Sequence, residues 1–341
     1  MGSPVLVGTV TLDVLHEGPI GAGRAPVVLR WGGVMNNVAC ALGMRGADPA
    51  LVTVTYTGEL APAVPAHLAA NRVRWVPLPT RLPLPLFHAE LVDGSVRHKV
   101  FIGDEALSAL TPATLEADRA VLADAGLLVA STDAEEPTLA WLADTAAARG
   151  LPFWLISADP TEVGKLRPNG RGADLVALNL PELSGWAGRA LTDRADIVDA
   201  ARDLTVPGGR CLVTLGAEGA LLVPHGHAEV LFQPAPPIGN PSVAVGAGDV
   251  LFACLLAARL DGADWATALH RASTLTGHFL RGVGSAEFPF HALDSHDLPR
   301  PAAAASRLPQ LGARPVAVAA PGPGGPAPAY GTGPTGRSAA G

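Results

Sequence analysis

Short, almost wholly apolar runs alternate with longer mixed segments as far as Leu260, and this alternation restricts the fold more than any other feature of the chain. The runs Val5 to Val10, Ala50 to Val54, Gly126 to Ala130, Phe153 to Ser157, Leu175 to Leu178 and Cys211 to Leu215 have the length and continuity of strands covered on both faces. Between them, Asn37 to Gly43, Thr114 to Ala123, Pro137 to Arg149, Arg194 to Asp203 and Ala247 to Leu260 read as crossover helices. Strands joined by helices predict an α/β sandwich around a mostly parallel central sheet. With 341 residues, 48% of them apolar, the chain is long enough to bury a substantial core.

Two segments interrupt the alternation. Val14 to Trp31 and Arg74 to Ile102 carry turn signals and extended runs, the second with a hairpin turning at Asp93-Gly94. They predict a small sheet that stands off the main domain as a lid. From about residue 300 the composition shifts to Pro, Ala and Gly with few large apolar side chains, so the expected division is a domain at 1–299 and a disordered tail at 300–341.

The formal net charge of −7 offers no global attraction to a polyanion, which argues against nucleic-acid binding and for a small-molecule ligand. Cys40, Cys211 and Cys254 are far apart in apolar surroundings, as expected of buried thiols in a reducing compartment. No leader-like segment and no membrane-length apolar run is evident, so the expected location is the cytoplasm.

The chemistry concentrates in Gly246-Ala247-Gly248-Asp249, a small-residue turn that opens an apolar helix. Free amides at a helix start, together with the positive end of the helix dipole, make an anion site. A carboxylate beside such a site reads as a general base that activates a hydroxyl for attack on a phosphoryl group. The alternative is a glycine turn with Asp249 as an ordinary helix cap.

Four further segments fall where an ATP-dependent kinase of small molecules needs them. Gly8 to Asp13 leaves the first strand and puts Asp13 at its carboxyl end, where open parallel sheets bind ligands and a carboxylate can clamp sugar hydroxyls. Gly32 and Gly33 make a tight turn into a helix that presents Asn37. Asn179-Leu180-Pro181-Glu182 offers a carboxylate that can organise magnesium-bound water. Val213 to Gly219 is a strand-to-turn segment whose backbone can lie against a nucleotide.

In order and separation these motifs resemble the ribokinase-like, or phosphofructokinase-B, family of carbohydrate and nucleoside kinases, over about residues 4 to 290. The resemblance implies a three-layer α/β/α ribokinase-like sandwich with a small β-sheet lid, ATP and Mg2+ as cofactors, and a homodimer formed through the lid. It makes Asp249 the catalytic base and the amides of Gly246, Ala247 and Gly248 the anion hole. It assigns Asp13, Gly33 and Asn37 to the substrate, Asn179, Thr214, Gly216 and Gly219 to the nucleotide, and Glu182 to the metal. Phe101-Ile102-Gly103-Asp104, Leu110-Thr111-Pro112, Ala140-Trp141-Leu142, Ile156-Ser157-Ala158 and Lys165 are most similar to the bacterial pseudouridine kinase branch. Lys165 then holds phosphate or a base-side loop, or else is a solvent-facing lysine. Val243-Ala244-Val245 departs from the Asp-Thr-Thr that many members carry before the turn. Val34 stands where ribokinases usually have lysine, which argues against free ribose.

Competing readings are weaker. The first turn lacks the later glycines of a dinucleotide fingerprint, and no G-x-x-x-x-G-K-[ST] segment is present. His88, His98, His225, His227, His270 and His278 lack zinc-helix spacing, and Ser131, Ser157 and Ser285 sit in no nucleophile elbow. Trp31 and Phe101 read as residues that face a nucleobase from the lid or, the better reading, pack in lid or core; Cys254 reads as a packing residue. Two alternatives stay open: ribokinase or another sugar kinase of the same family, and a non-catalytic nucleoside-binding sensor.

Overall fold

The computed structural model describes residues 2–18, 27–92, 95–117, 122–226, 228–238, 245–282, Phe290, Leu293 and 305–308. Strand β1 (Ser3–Val7) lies inside a large sheet, flanked by β4 (Ala50–Thr57) and β8 (Ala125–Ser131), both parallel to it. Beyond β4 lies the edge strand β5 (Arg74–Pro83), again parallel. Beyond β8 come β9 (Phe153–Ile156), β10 (Leu175–Asn179) and β11 (Arg210–Thr214) in parallel register. The sheet finishes with the antiparallel strands β12 (Gly219–Pro224), β13 (Leu231–Pro234) and β14 (Ser306–Arg307).

Period-two alternation divides the core between the two faces of this sheet. Leu6, Leu51, Val129, Ile156 and Ala177 pack under helices α1 (Val34–Met44), α2 (Ala63–Ala70), α6 (Ala247–Leu260) and α7 (Trp265–Gly282). Val5, Val7, Val52, Leu128, Leu155 and Val176 face α3 (Glu136–Arg149), α4 (Leu180–Ala187) and α5 (Arg194–Asp203). The expected three-layer sandwich is therefore the observed one. The three cysteines are free and buried, and no helix among the described residues is long and apolar enough to cross a membrane.

A second sheet runs β3 (Val27–Gly32), β2 (Thr11–Glu17), β6 (Leu86–Val92), β7 (Ser95–Ile102). It is the expected lid with corrected bounds. Its first strand starts at Thr11 rather than Val14, and Arg74–Pro83 belongs to the large sheet, not to the lid. β6 and β7 pair antiparallel, with Val92 opposite Ser95; the turn at Asp93-Gly94 lies outside the described residues.

Three further expectations need correction. β1 ends at Val7, so Asp13 is carried by the second strand, in the lid sheet, and not by the end of the first. The helix read at Thr114 to Ala123 is observed as Pro112–Ala117, with residues 118–121 outside the described set. Part of the tail read as disordered is ordered: Ser306 and Arg307 pair with β13, and Ala305 is buried. Apart from 305–308, residues 300–341 lie outside the described residues.

Candidate active site

A cleft of about 850 Å3 opens between the carboxyl ends of the parallel strands and the inner face of the lid. This is where parallel α/β sheets bind ligands. Lid register fills its roof: Arg30 lies opposite Asp13, Asp13 opposite Phe87, and Phe87 opposite Phe101, so these four side chains share the cleft-facing side of the sheet.

Asp13 is 3% exposed, yet it accepts hydrogen bonds from Thr11 Oγ1 at 2.8 Å and from Arg30 Nε at 3.5 Å. Burial raises its carboxyl above the usual range, and the Arg30 charge opposes that rise. A Cβ on Gly32 would lie 1.9 Å from Asp13 Oδ1, so any side chain there would displace that carboxylate. Gly33 caps α1 at φ +95°, where a Cβ would meet Thr9 O at 2.5 Å. The chain therefore enters α1 close against the β1–β2 loop, and the first turn of the helix carries Asn37 into the cleft.

Asn37 Nδ2 donates to Asp249 Oδ2 at 2.8 Å, joining the two sequence motifs directly. Asp249 sits in the first turn of α6, whose cap Gly246 is left-handed (φ 88°, ψ −3°) and provides no side-chain bond to the helix amides. A Cβ on Gly248 would meet nothing within 4 Å, so the space over this turn is open. The turn has the shape and polarity of an anion site. Burial pushes the Asp249 carboxyl up to about 7; the Asn37 bond opposes this, Asp133 and Asp13 add to the rise, and Arg30 opposes it. A carboxylate that ionises near neutrality is matched to general-base work.

On the opposite wall, Asn179 and Glu182 form a reciprocal capping box at the start of α4: Asn179 N donates to Glu182 Oε2 and Glu182 N donates to Asn179 Oδ1, each at 2.8 Å. Their spacing is thus also a helix-start signature. Glu182 is 4% exposed, and burial pushes it up to about 7. Thr214 lines the cleft at the end of β11, as do Gly33, Gly246 and Gly248. Ala247, Gly216 and Gly219 do not line it. Gly219 has a structural reason to be glycine, since a Cβ there would lie 2.0 Å from Gln233 O on the neighbouring strand.

Several residues that face or support the cleft escaped detection in the sequence. Asp133 follows β8, lines the cleft, accepts from Ser131 Oγ at 3.1 Å and is pushed up to about 6 by burial. Its signal was a carboxylate just past an expected strand, the same signal used for Asp13. Lys99 and Asp159 form an ion pair between lid and body. Lys165, singled out in the sequence, lines the cleft instead of facing solvent, pairing with Glu162 and donating to Thr132 O at 3.1 Å. Phe101 lines the cleft at 40% exposure, as its base-facing reading expects and the packing reading does not. Trp31, read the same way, does pack: it stacks on His67, whose Nε2 donates to Asn36 Oδ1 at 2.9 Å, bracing α1 from behind.

A cleft beneath a β lid, with a helix-head carboxylate in its wall, places the protein in a class of three-layer α/β proteins with a ligand-sized site at the strand ends. The sequence matches the pfkB family carbohydrate kinase profile over residues 19–287, and the chain belongs to that family. It is 38% identical over 112 residues to 1-phosphofructokinase of Rhodobacter capsulatus, a match covering 33% of this chain and 34% of that protein. It is 28% identical over 311 residues to the bifunctional protein HldE of Azotobacter vinelandii, covering 83% of this chain and 61% of the other. The chain thus spans about a third of the length of the first relative and less than two thirds of the second. Among solved structures, ribokinase from Giardia lamblia superposes with a TM-score of 0.71 at 17% identity, covering 86% of this chain and 95% of that one. Adenosine kinase of Anopheles gambiae, in complex with P1,P4-di(adenosine-5) tetraphosphate, gives 0.71 at 17%, covering 82% and 95%. These likenesses show the ribokinase-like fold.

The raised Asp249 pKa fixes the sign of a stability test. Stability from this group is fully present below the unfolded carboxyl pKa of 3.8 and is lost as pH rises through about 7. Asp249→Asn keeps an acceptor for Asn37 and removes the titration. The variant should therefore gain stability on the parent between pH 5 and pH 8, by about 1–2 kcal/mol after allowance for solvent screening. Denaturant unfolding at both pH values checks this; parallel pH profiles contradict it.

Proposed function

We propose that the protein transfers the γ-phosphoryl group of ATP to a hydroxymethyl group of a ribose-like acceptor, with pseudouridine favoured. The observation that carries this reading is the Asn37–Asp249 bond at 2.8 Å, which sets a near-neutral carboxyl beside an open helix-head anion site. The acceptor hydroxyls lie against Asp13, Asn37 and Asp133, and Asp249 accepts the proton of the attacking hydroxyl. The amides of Gly246, Ala247 and Gly248 hold the charge that develops on the transferred group.

ATP bound with Mg2+ supplies the phosphoryl group and offsets its charge. The residues present fit such a pair. The turn at Gly248 is open to a phosphate, and Asn179 N occupies only Oε2 of Glu182. Glu182, with Asn179 beside it, would hold such an ion through its waters, since magnesium commonly keeps several waters and takes few protein ligands. Thr214 and Asn179 border the nucleotide side of the cleft, with Gly216 and Gly219 shaping the turn behind it.

Two features favour a nucleoside over a sugar phosphate, the acceptor suggested by the relative's name 1-phosphofructokinase. Phe87 and Phe101 offer aromatic faces from the lid, suited to a base. The cleft-lining lysines, Lys99 and Lys165, are each paired with a carboxylate, which leaves neither as a ready partner for a second phosphate. Lid alternation also turns Leu29 (60% exposed) and Ile102 (56% exposed) away from the cleft, and a second copy of this chain is the proposed cover for that apolar face.

A mass-spectrometric screen with ATP and magnesium against pseudouridine, uridine, adenosine, inosine, ribose, fructose and fructose phosphates tests the reaction. The expected product is a nucleoside monophosphate, pseudouridine reacting fastest, with turnover about a thousandfold lower in Asp249→Asn. Preference for a sugar phosphate overturns the acceptor assignment, and no product from any acceptor overturns the kinase reading. Sedimentation at micromolar concentration should show a dimer that Ile102→Lys dissociates; a monomeric parent contradicts the proposed cover.

A further inference from the structure

The backbone just ahead of the anion turn is gripped by the lid. Arg30, on β3, extends Nη2 to Val245 O at 3.1 Å, a contact across 215 residues of sequence. The same guanidinium offers Nε to Asp13 Oδ2 at 3.5 Å. The Val245 side chain packs on an apolar patch made by Leu15, Ala89, Leu91 and Phe87 on the inner face of the lid. Arg30 is largely buried, with a side chain 16% exposed, and a Cβ on Gly246 would lie 4.0 Å from its Nη2.

Holding Val245 in this way constrains its neighbour in the chain. The Val245 carbonyl belongs to the peptide whose nitrogen is that of Gly246, the left-handed residue that sets the direction of the first α6 amides. A planar, always charged guanidinium with several fixed donors suits this bridging; an ammonium on a flexible stem cannot reach both partners in the same geometry. Lid and anion turn are therefore joined at a backbone atom as well as by apolar contact.

We propose that Arg30 is a positioning residue for phosphoryl transfer: by clasping Val245 O from the lid, it makes the geometry of the Gly246–Gly248 anion turn depend on the lid being seated. This rests on the kinase reading above and adds to it a route by which lid closure assembles the site. Catalytic geometry assembled only on closure restrains loss of the phosphoryl group to water.

Two measurements on the full chain test it. In the first, Arg30→Gln and Arg30→Lys are compared with the parent in steady-state turnover of the best acceptor. The expected result is a fall in kcat of about tenfold or more for Arg30→Gln. KM for ATP should stay within about threefold, and Arg30→Lys should recover only part of the loss because charge alone does not rebuild the clasp. In the second, hydrogen exchange is followed by mass spectrometry on peptides covering 245–252 without substrate. Exchange there should rise about fivefold in Arg30→Gln while peptides of the large sheet stay unchanged.

An unchanged kcat overturns the proposal, and so does a fall in kcat with unchanged exchange at 245–252. A parent chain inactive on every acceptor sinks the kinase reading instead, and the exchange data then decide alone whether the clasp exists.

Discussion

The hydrogen bond from Asn37 to Asp249 is the constraint on which the site depends. It joins the heads of two helices from opposite ends of the chain, 212 residues apart. α1 and α6 pack side by side on the same face of the large sheet, so their amino ends come to one place only if the parallel order β4-β1-β8-β9-β10-β11 is kept. The fold thereby delivers a carboxylate to an open helix head. Burial, opposed by the Asn37 bond and the Arg30 charge, brings that carboxylate near neutrality.

The electrostatics of the cleft arise from the same arrangement. Asp13, Asp133, Glu182 and Asp249 all line it, and burial raises all four carboxyl pKa values. Such a cavity disfavours a bare anion. In the proposed reaction it takes hydroxyl groups that donate to carboxylates, together with a phosphate carried in with its own cation and held by backbone amides. The paired lysines and the two lid phenylalanines support the acceptor proposed above, a neutral polyol with an aromatic substituent.

Much of this was legible in the sequence, for local reasons. Interior strands buried on both faces read as continuous apolar runs, and the glycine turns at Gly33 and Gly246 announce helix heads because other residues fit there poorly. What was missed depends on tertiary pairing. Arg74–Pro83 holds Pro77, Pro79 and Pro83 and looked like lid and turn, but as an edge strand it needs donors on one side only. The sequence assigns Asp13 to the end of the first strand because only three residues, Gly8 to Val10, separate β1 from β2, and none of them is a strong break. The Arg30–Asp13 register is set across the connection between β2 and β3, which is too long to fix pairing by turn type. Ser306–Arg307 is too short a strand to carry a pattern, and it is ordered only because β13 presents an edge.

The central claim is that a half-buried carboxyl ionising near neutrality at the head of α6 takes the proton of the acceptor. The dependence of kcat/KM on pH, measured with a saturating ATP–magnesium mixture and the best acceptor, tests it most directly. The account predicts an acidic limb at which the rate falls to half near pH 7, one proton in slope. A rate that stays flat down to about pH 5, well below the raised pKa, would contradict it.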